Sequence, residues 1–208
     1  MKPPILVPVN SLAAAKGRLA DVLDADQRAE LALATLDTVL GAARDWGAPV
    51  TVLTADPAVA EHVRPPQLVE NEVPGLRGLN PQLEAALLRH QRDELLILHA
   101  DLPLASAEAL ESLWQAAPPA ASATVVESSD GGTNAMLLRP PGKFALHYGP
   151  GSAAAHRAAA EGASFRFSRV DDDDLALDLD TRADIERLLA LERGRTSAAG
   201  RLLRSWGF

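Results

Sequence analysis

Short runs of β-forming residues recur along this chain between longer stretches with helical spacing, and no other feature narrows the fold as far. Strands are predicted over Ile5–Val9, Val50–Thr54, Leu95–His99, Thr124–Glu127, Ala135–Arg139, Phe165–Val170 and Leu175–Leu179. The clearest helix runs from about Ala25 to Ala43, with Leu33, Leu36, Leu40 and Ala43 on one face and Asp24 and Gln27 at capping-box spacing. Further helices are predicted from Pro81 to about His90, from a Ser106 cap to Ala116, after Gly149-Pro-Gly-Ser152 to near Gly162, and from a Thr181/Asp184 capping box to Leu191. Such alternation implies an α/β fold with a largely parallel sheet covered by helices. At 208 residues the chain suits one domain, residues 1–208, in which 193–208 reads as a loosely held C-terminal extension.

The formal charge of -8 disfavours nucleic acid and anionic membrane as partners, since a polyanion would approach against the mean field. With no cysteine, disulfides, thiolate catalysis and sulfur-ligated metals are excluded. Pro3, Pro4, Pro8 and Asn10 interrupt the first apolar run too early for a signal segment, and no apolar stretch reaches the roughly 20 residues that span a bilayer. A cytoplasmic protein is the expectation.

Candidate chemistry lies at the ends of the predicted strands. Lys16 and Arg18 follow the first strand, where open α/β sheets bind ligands and where two cations could neutralise a triphosphate; a solvated basic loop is the plain alternative. The apolar run Leu96-Ile97-Leu98 leads through His99 and Ala100 to Asp101, which could ligate a hard cation or cap the following turn. In Leu177-Asp178-Leu179-Asp180 the two acids would share one strand face, and like charges so placed call for a cation between them, magnesium being the simplest; a solvated strand end is the alternative. Asp171–Asp174 reads instead as a hydrated loop. Gly149-Pro150-Gly151-Ser152 could cradle a phosphate at a helix amino end or form an ordinary turn with a serine cap, and Gly131-Gly132-Thr133-Asn134 could meet a carboxylate or phosphate or simply turn a hairpin. His99 is assigned a structural role, pointing away from the side of the strand that Ala100 faces.

Taken in order, V-P-V-N-S-L-A-A-A-K-G-R-L, V-L-T-A-D, G-L-N, H-A-D-L-P-L, G-G-T-N-A-M, Y-G-P-G-S and L-A-L-D-L-D-T resemble the CofC/FbiD guanylyltransferases of coenzyme F-420 biosynthesis, from about Ile5 to Leu191. The resemblance implies a three-layer α/β fold with a mixed, mostly parallel sheet, similar to the molybdenum-cofactor guanylyltransferases and GT-A glycosyltransferases. It implies transfer of GMP from GTP to phosphoenolpyruvate or 2-phospho-L-lactate, with 3-phospho-D-glycerate a further acceptor. By motif, Lys16 and Arg18 would meet the triphosphate, with Lys16 also catalytic, and Thr54, Leu79 and Asn80 would lie by the guanosine. Asp101, Asp178 and Asp180 would hold Mg2+, and Thr133, Gly149 and Ser152 would bind the phospho acid. Asn10 stands where many relatives carry lysine, and His99 replaces a more usual small residue or proline. Rival readings are a nucleotidyltransferase for a sugar phosphate or molybdopterin, and a nucleotide-binding regulatory module without turnover. Oligomeric state is left open, a homodimer included.

Overall fold

A computed structural model describes residues 1–90 and 92–208. In chain order its principal elements are β1 (Ile5–Pro8), α1 (Ala25–Trp46), β2 (Val50–Thr54), α2 (Pro57–His62), β3 (Leu68–Asn71), α3 (Leu79–Arg89), β4 (Leu95–Leu98), α4 (Ala107–Ala116), β5 (Ser122–Glu127), β6 (Thr133–Arg139), α5 (Ser152–Gly162), β7 (Arg166–Arg169), α6 (Asp173–Ala176), α7 (Arg182–Ala190), α8 (Glu192–Thr196) and α9 (Ala198–Ser205). The strands form one seven-stranded sheet in the order β3-β2-β1-β4-β6-β5-β7. Only β6 runs against its neighbours β4 and β5; the remaining pairings are parallel. Among the described residues no helix is long and apolar enough to cross a membrane.

Alternation along the strands builds the layers. Ile5, Val7, Leu96, Leu98, Ala135 and Leu137 enter one core with α1 and α4, whereas Leu6, Leu95, Ile97, Met136 and Leu138 enter the opposite core with α3 and α5. Helix α1 opens with the predicted Asp24–Gln27 capping box and continues past Ala43 to Trp46. Trp46 is buried edge-on to Trp114 of α4, and Gly47 in the left-handed region ends the helix.

The sequence expectations need three corrections. Leu175–Leu179 forms no strand: Asp172 caps the short α6, and the segment after it is extended without a ladder partner. The two-residue alternation still operates, because Leu177 and Leu179 are buried while Asp178 and Asp180 face away from that core. Asp171–Asp174 is likewise more structured than a hydrated loop, with Asp174 paired to Arg193 at 2.8 Å. Finally, 193–208 is not loosely held. Ala199 and Leu203 are fully buried in a third core with Leu19, Leu23, Leu31, Leu177, Leu179, Ile185 and Leu188. That core lies beneath both the Lys16 loop and the Asp178–Asp180 segment.

Two glycines make this docking close. A Cβ at Gly194 would lie 1.9 Å from the Leu188 carbonyl oxygen, and one at Gly200 would lie 1.9 Å from that of Gly194. Backbone cannot yield as a flexible side chain would, so Gly200→Ala should destabilise the fold by about 1–3 kcal/mol. In a thermal melt the midpoint should fall by roughly 2–4 °C for each kcal/mol. An unchanged midpoint would contradict the close backbone approach at Gly200.

Candidate active site

Strand order reverses between β1 and β4, since β2 lies on one side of β1 and β4 on the other. A crevice therefore opens at the carboxyl ends of these two strands, the usual ligand position in open α/β sheets. A cavity of about 430 Å³ occupies it, within the size range of small-molecule sites. Because β6 is antiparallel, its amino end arrives at the same edge, carrying Thr133 and Asn134 into the wall.

On one side stand the acids. Lys16 holds left-handed backbone angles (φ 52°, ψ 37°), and its side chain is only 5% exposed. Its Nζ donates to Asp101 Oδ2 at 3.0 Å and lies 3.5 Å from Asp180 Oδ1. Asp101 caps nothing; Ser106 caps α4, as its position predicts. The Leu179 N–H donates to the Asp101 carbonyl oxygen, and Asn134 Nδ2 donates to the carbonyls of Leu175 and Ala176 and, at 3.4 Å, to Asp178 Oδ1. These bonds replace a strand ladder in setting the extended acidic segment. Asp180 is fixed through its own N–H, which donates to Asp184 inside the Thr181 capping box. Arg18, largely exposed, reaches 3.8 Å from both Asp180 and Asp130.

Across the cavity, Gly149 at φ +143° and Gly151 at φ +68° turn the chain into α5. The Ser152 and Ala153 N–H groups already donate to the Gly149 and Gly131 carbonyls, so hydroxyls rather than those amides are offered to a ligand. Ser152 does not cap the helix; Gly151 holds that position, and Ser152 Oγ lies 3.1 Å from Thr133 Oγ1, with both residues buried in the cavity wall.

The proposed guanosine contacts are distributed unequally. Leu79 lines the cavity. Asn80 spends its side-chain amide on the Tyr148 backbone, donating to the carbonyl at 2.9 Å and accepting from the N–H at 2.7 Å. Thr54 is wholly buried and accepts from the Asp56 N–H, outside the cavity lining. Asp56 in turn accepts from the Leu12 N–H at 2.8 Å, a bond that holds its carboxyl below the usual range and pins the loop leading to Lys16. Asn10 is part of the lining as well.

Sequence reasoning missed several residues of the wall. His99 does not turn away from the Ala100 side: β4 ends at Leu98, so strand alternation no longer applies, and both residues line the cavity. His99 Nε2 and Tyr148 Oη are buried there without hydrogen-bond partners among the described residues. Asn134 was visible only as a polar residue beside a turn.

The acids suit a hard divalent cation. One oxygen from each of Asp101, Asp178 and Asp180 can be chosen so that all lie within 4.8 Å of one another. A divalent cation of the magnesium class takes oxygen ligands of this kind, and these three residues would hold it. Asp101 Oδ1 is buried and has no donor among the described residues. Burial opposes ionisation of Asp101, yet the Lys16 ammonium outweighs it and holds the carboxyl below its ordinary value. Asp178 has no such partner, and burial together with the Asp101 charge pushes it up to about 6. An all-oxygen donor set favours magnesium or manganese over softer metals.

A stability test follows for the metal-free protein. Because the folded-state value of Asp178 lies above that of the unfolded chain, its ionised form costs stability above about pH 6, and the cost fades as pH falls toward about 4. Asp178→Asn should therefore stabilise the metal-free protein near pH 8 by about 1–3 kcal/mol and lose most of that advantage near pH 4. Magnesium should raise the wild-type melting temperature near pH 8 and raise that of the variant much less. Equal metal-free stability of the two proteins near pH 8 would contradict the crowding of these carboxylates.

Known proteins resemble this chain in sequence and in fold. The family model described as "Guanylyl transferase CofC like" matches residues 3–208. A phosphoenolpyruvate guanylyltransferase of Sphaerobacter thermophilus is 39% identical over 189 residues, covering 88% of this chain and 90% of its own. A 2-phospho-L-lactate guanylyltransferase of Natronomonas pharaonis is 34% identical over 182 residues, covering 88% and 83%. A candidate nucleotide-diphospho-sugar transferase from Desulfovibrio desulfuricans G20 superposes with a TM-score of 0.79 at 18% identity over 98% of this chain and 94% of that one. A nucleotidyl transferase from a Methanothermobacter species gives 0.66 at 14% identity over 97% and 98%. The likeness in structure establishes the nucleotidyltransferase fold, and by the match over residues 3–208 this chain belongs to the CofC guanylyltransferase family.

Proposed function

We propose that the enzyme transfers GMP from GTP to a small phosphorylated carboxylic acid, phosphoenolpyruvate or 2-phospho-L-lactate, with 3-phospho-D-glycerate a further candidate, and releases pyrophosphate in coenzyme F-420 biosynthesis. The observation that carries this reading is one cavity with two unlike walls, Lys16 and three carboxylates on one side and a buried hydroxyl pair on the other. Support comes from the relatives named for these two acceptors. A GTP-consuming enzyme works where GTP is held, and we place it in the cytoplasm.

In the proposed reaction a phosphate oxygen of the acceptor attacks the α-phosphorus of GTP in line. The new P–O bond forms as the bond to the β-phosphate oxygen breaks, and that electron pair leaves with pyrophosphate. No protein base is needed, because the attacking oxygen is already anionic near neutral pH. Two polyanions must meet, so catalysis rests on positioning and charge neutralisation. Asp101, Asp178 and Asp180 would hold Mg2+, whose charge would offset that of the α-phosphate and the incoming phosphate. Lys16 donates to Asp101, lies 3.5 Å from Asp180, and has ammonium hydrogens left for a phosphate oxygen. Arg18 adds a second cation at the mouth, and neutral Asn10 leaves the triphosphate to these two. Leu79 offers an apolar surface for the base, with Asn80 and Thr54 fixing the backbone around it. Thr133, Gly149 and Ser152 receive the phospho acid.

Pyrophosphate release measured with GTP, magnesium and a panel of acceptors should show turnover with the phospho acids and little with sugar phosphates or a pterin. Turnover only with the latter would sink the proposal, as would GTP binding by calorimetry with no product from any acceptor. Asp180→Asn should lower kcat/KM at least about 100-fold while the melting curve remains cooperative. Ser152→Ala should raise the acceptor KM by about 5- to 10-fold and leave the GTP KM nearly unchanged, since it removes a single hydrogen bond to a charged group.

A further inference from the structure

His156 is fully buried on α5, behind the hydroxyl pair rather than in the cavity lining. Phe144 and Tyr148 enclose its ring, with centroids at 6.0 and 4.9 Å. Burial, reinforced by the neighbouring His147, pushes its pKa down to about 4, so the ring is neutral near pH 7 and has a single N–H.

The fold decides which nitrogen carries that hydrogen. The His147 backbone N–H points at His156 Nε2 from 3.0 Å. A backbone amide can only donate, so Nε2 must be the bare nitrogen and Nδ1 the protonated one. The amide is itself set by Asn80, whose side chain clasps the backbone N–H and carbonyl of the next residue, Tyr148. Nδ1 lies 3.0 Å from Thr133 Oγ1 and therefore donates to it.

Counting hydrogens then fixes what the cavity receives. Thr133 and Ser152 have two hydroxyl hydrogens between them, and one is used in the 3.1 Å bond that joins them. With His156 donating, the second has no acceptor among the described residues and is free for the cavity. Were the tautomer reversed, that hydrogen would pass to Nδ1 and the pair would offer only lone pairs. A phospho acid brings a phosphate and a carboxylate, both acceptors, so only the first arrangement attracts it.

We infer that His156 is a positioning residue: the His147 amide locks it as the Nδ1–H tautomer, and the Thr133–Ser152 pair is thereby made a hydrogen-bond donor to the anionic acceptor. This rests on the proposed reading of the cavity as a phospho-acid site. Two readouts separate the claims. Long-range proton–nitrogen correlation spectra of the uniformly labelled wild-type protein, with the ring assigned by loss of its signals in His156→Asn, should show a protonated Nδ1 and a bare Nε2 for His156. The opposite pattern would overturn the inference whatever the substrate.

Kinetics supply the second readout. The amide nitrogen of asparagine can stand where Nδ1 stood, whereas glutamine reaches the Nε2 position and leaves Thr133 without a donor. His156→Gln should raise the acceptor KM about 10-fold with the GTP KM within about 2-fold, and His156→Asn should recover most of that loss although His147 then lacks its acceptor. Equal defects in both variants, or a parallel rise in both KM values, would reduce His156 to a packing role. Failure of the wild-type protein to use any phospho acid would instead defeat the functional reading, leaving the nitrogen spectrum to decide the tautomer.

Discussion

Three carboxylates drawn from two distant stretches of chain crowd together, two of them meeting one ammonium at 3.0 and 3.5 Å, and the remainder of the molecule is arranged around that crowding. Without a positive charge among them, Asp101, Asp178 and Asp180 would repel one another apart. Lys16 supplies one charge from a nearly buried side chain in a left-handed backbone, a conformation costly for a residue with a Cβ. One ammonium does not balance three carboxylates, and the residue is visible in Asp178, whose carboxyl is pushed up to about 6. The deficit is an attraction for a divalent cation, and the cation is an attraction for phosphate.

Several devices hold the acids against their own repulsion. Asp56 pins the loop before Lys16, Asn134 replaces a strand ladder for 175–178, and the Thr181–Asp184 box anchors Asp180. Beneath them the third core, completed by α9, ties the Lys16 loop and the acidic segment to one rigid base. Reversal of β6 brings the opposite wall: a parallel strand in that position would have delivered Arg139 to the cavity edge instead of Thr133 and Asn134. The cavity thus joins a cation-seeking face to a hydrogen-donating one.

Much of this could be read from residue order. Alternation of strands with helices predicted a largely parallel sheet covered by helices, capping residues predicted where α1, α4 and α7 begin, and the spacing of Asp178 and Asp180 predicted that both would face one side. That last expectation survived although no strand forms there, because burial of Leu177 and Leu179 imposes the same two-residue period on an extended segment. Strand β3 went unseen since it is a short edge strand with Leu68 and Val69 exposed, so no buried face marks it. Tight docking of α8 and α9 depends on backbone contacts at Gly194 and Gly200, where sequence shows only two helix-weakening glycines. Asn134 and His156 act through partners far along the chain, and nothing in their local sequence announces those partners.

The convergence of the three acids on one ion is most directly tested by anomalous diffraction from crystals grown with GTP and manganese, which takes the same oxygen ligands as magnesium. A peak lying about 2.0–2.3 Å from oxygens of Asp101, Asp178 and Asp180 is the predicted result. Manganese bound only by the nucleotide phosphates, or by the acids of 171–174, would contradict it.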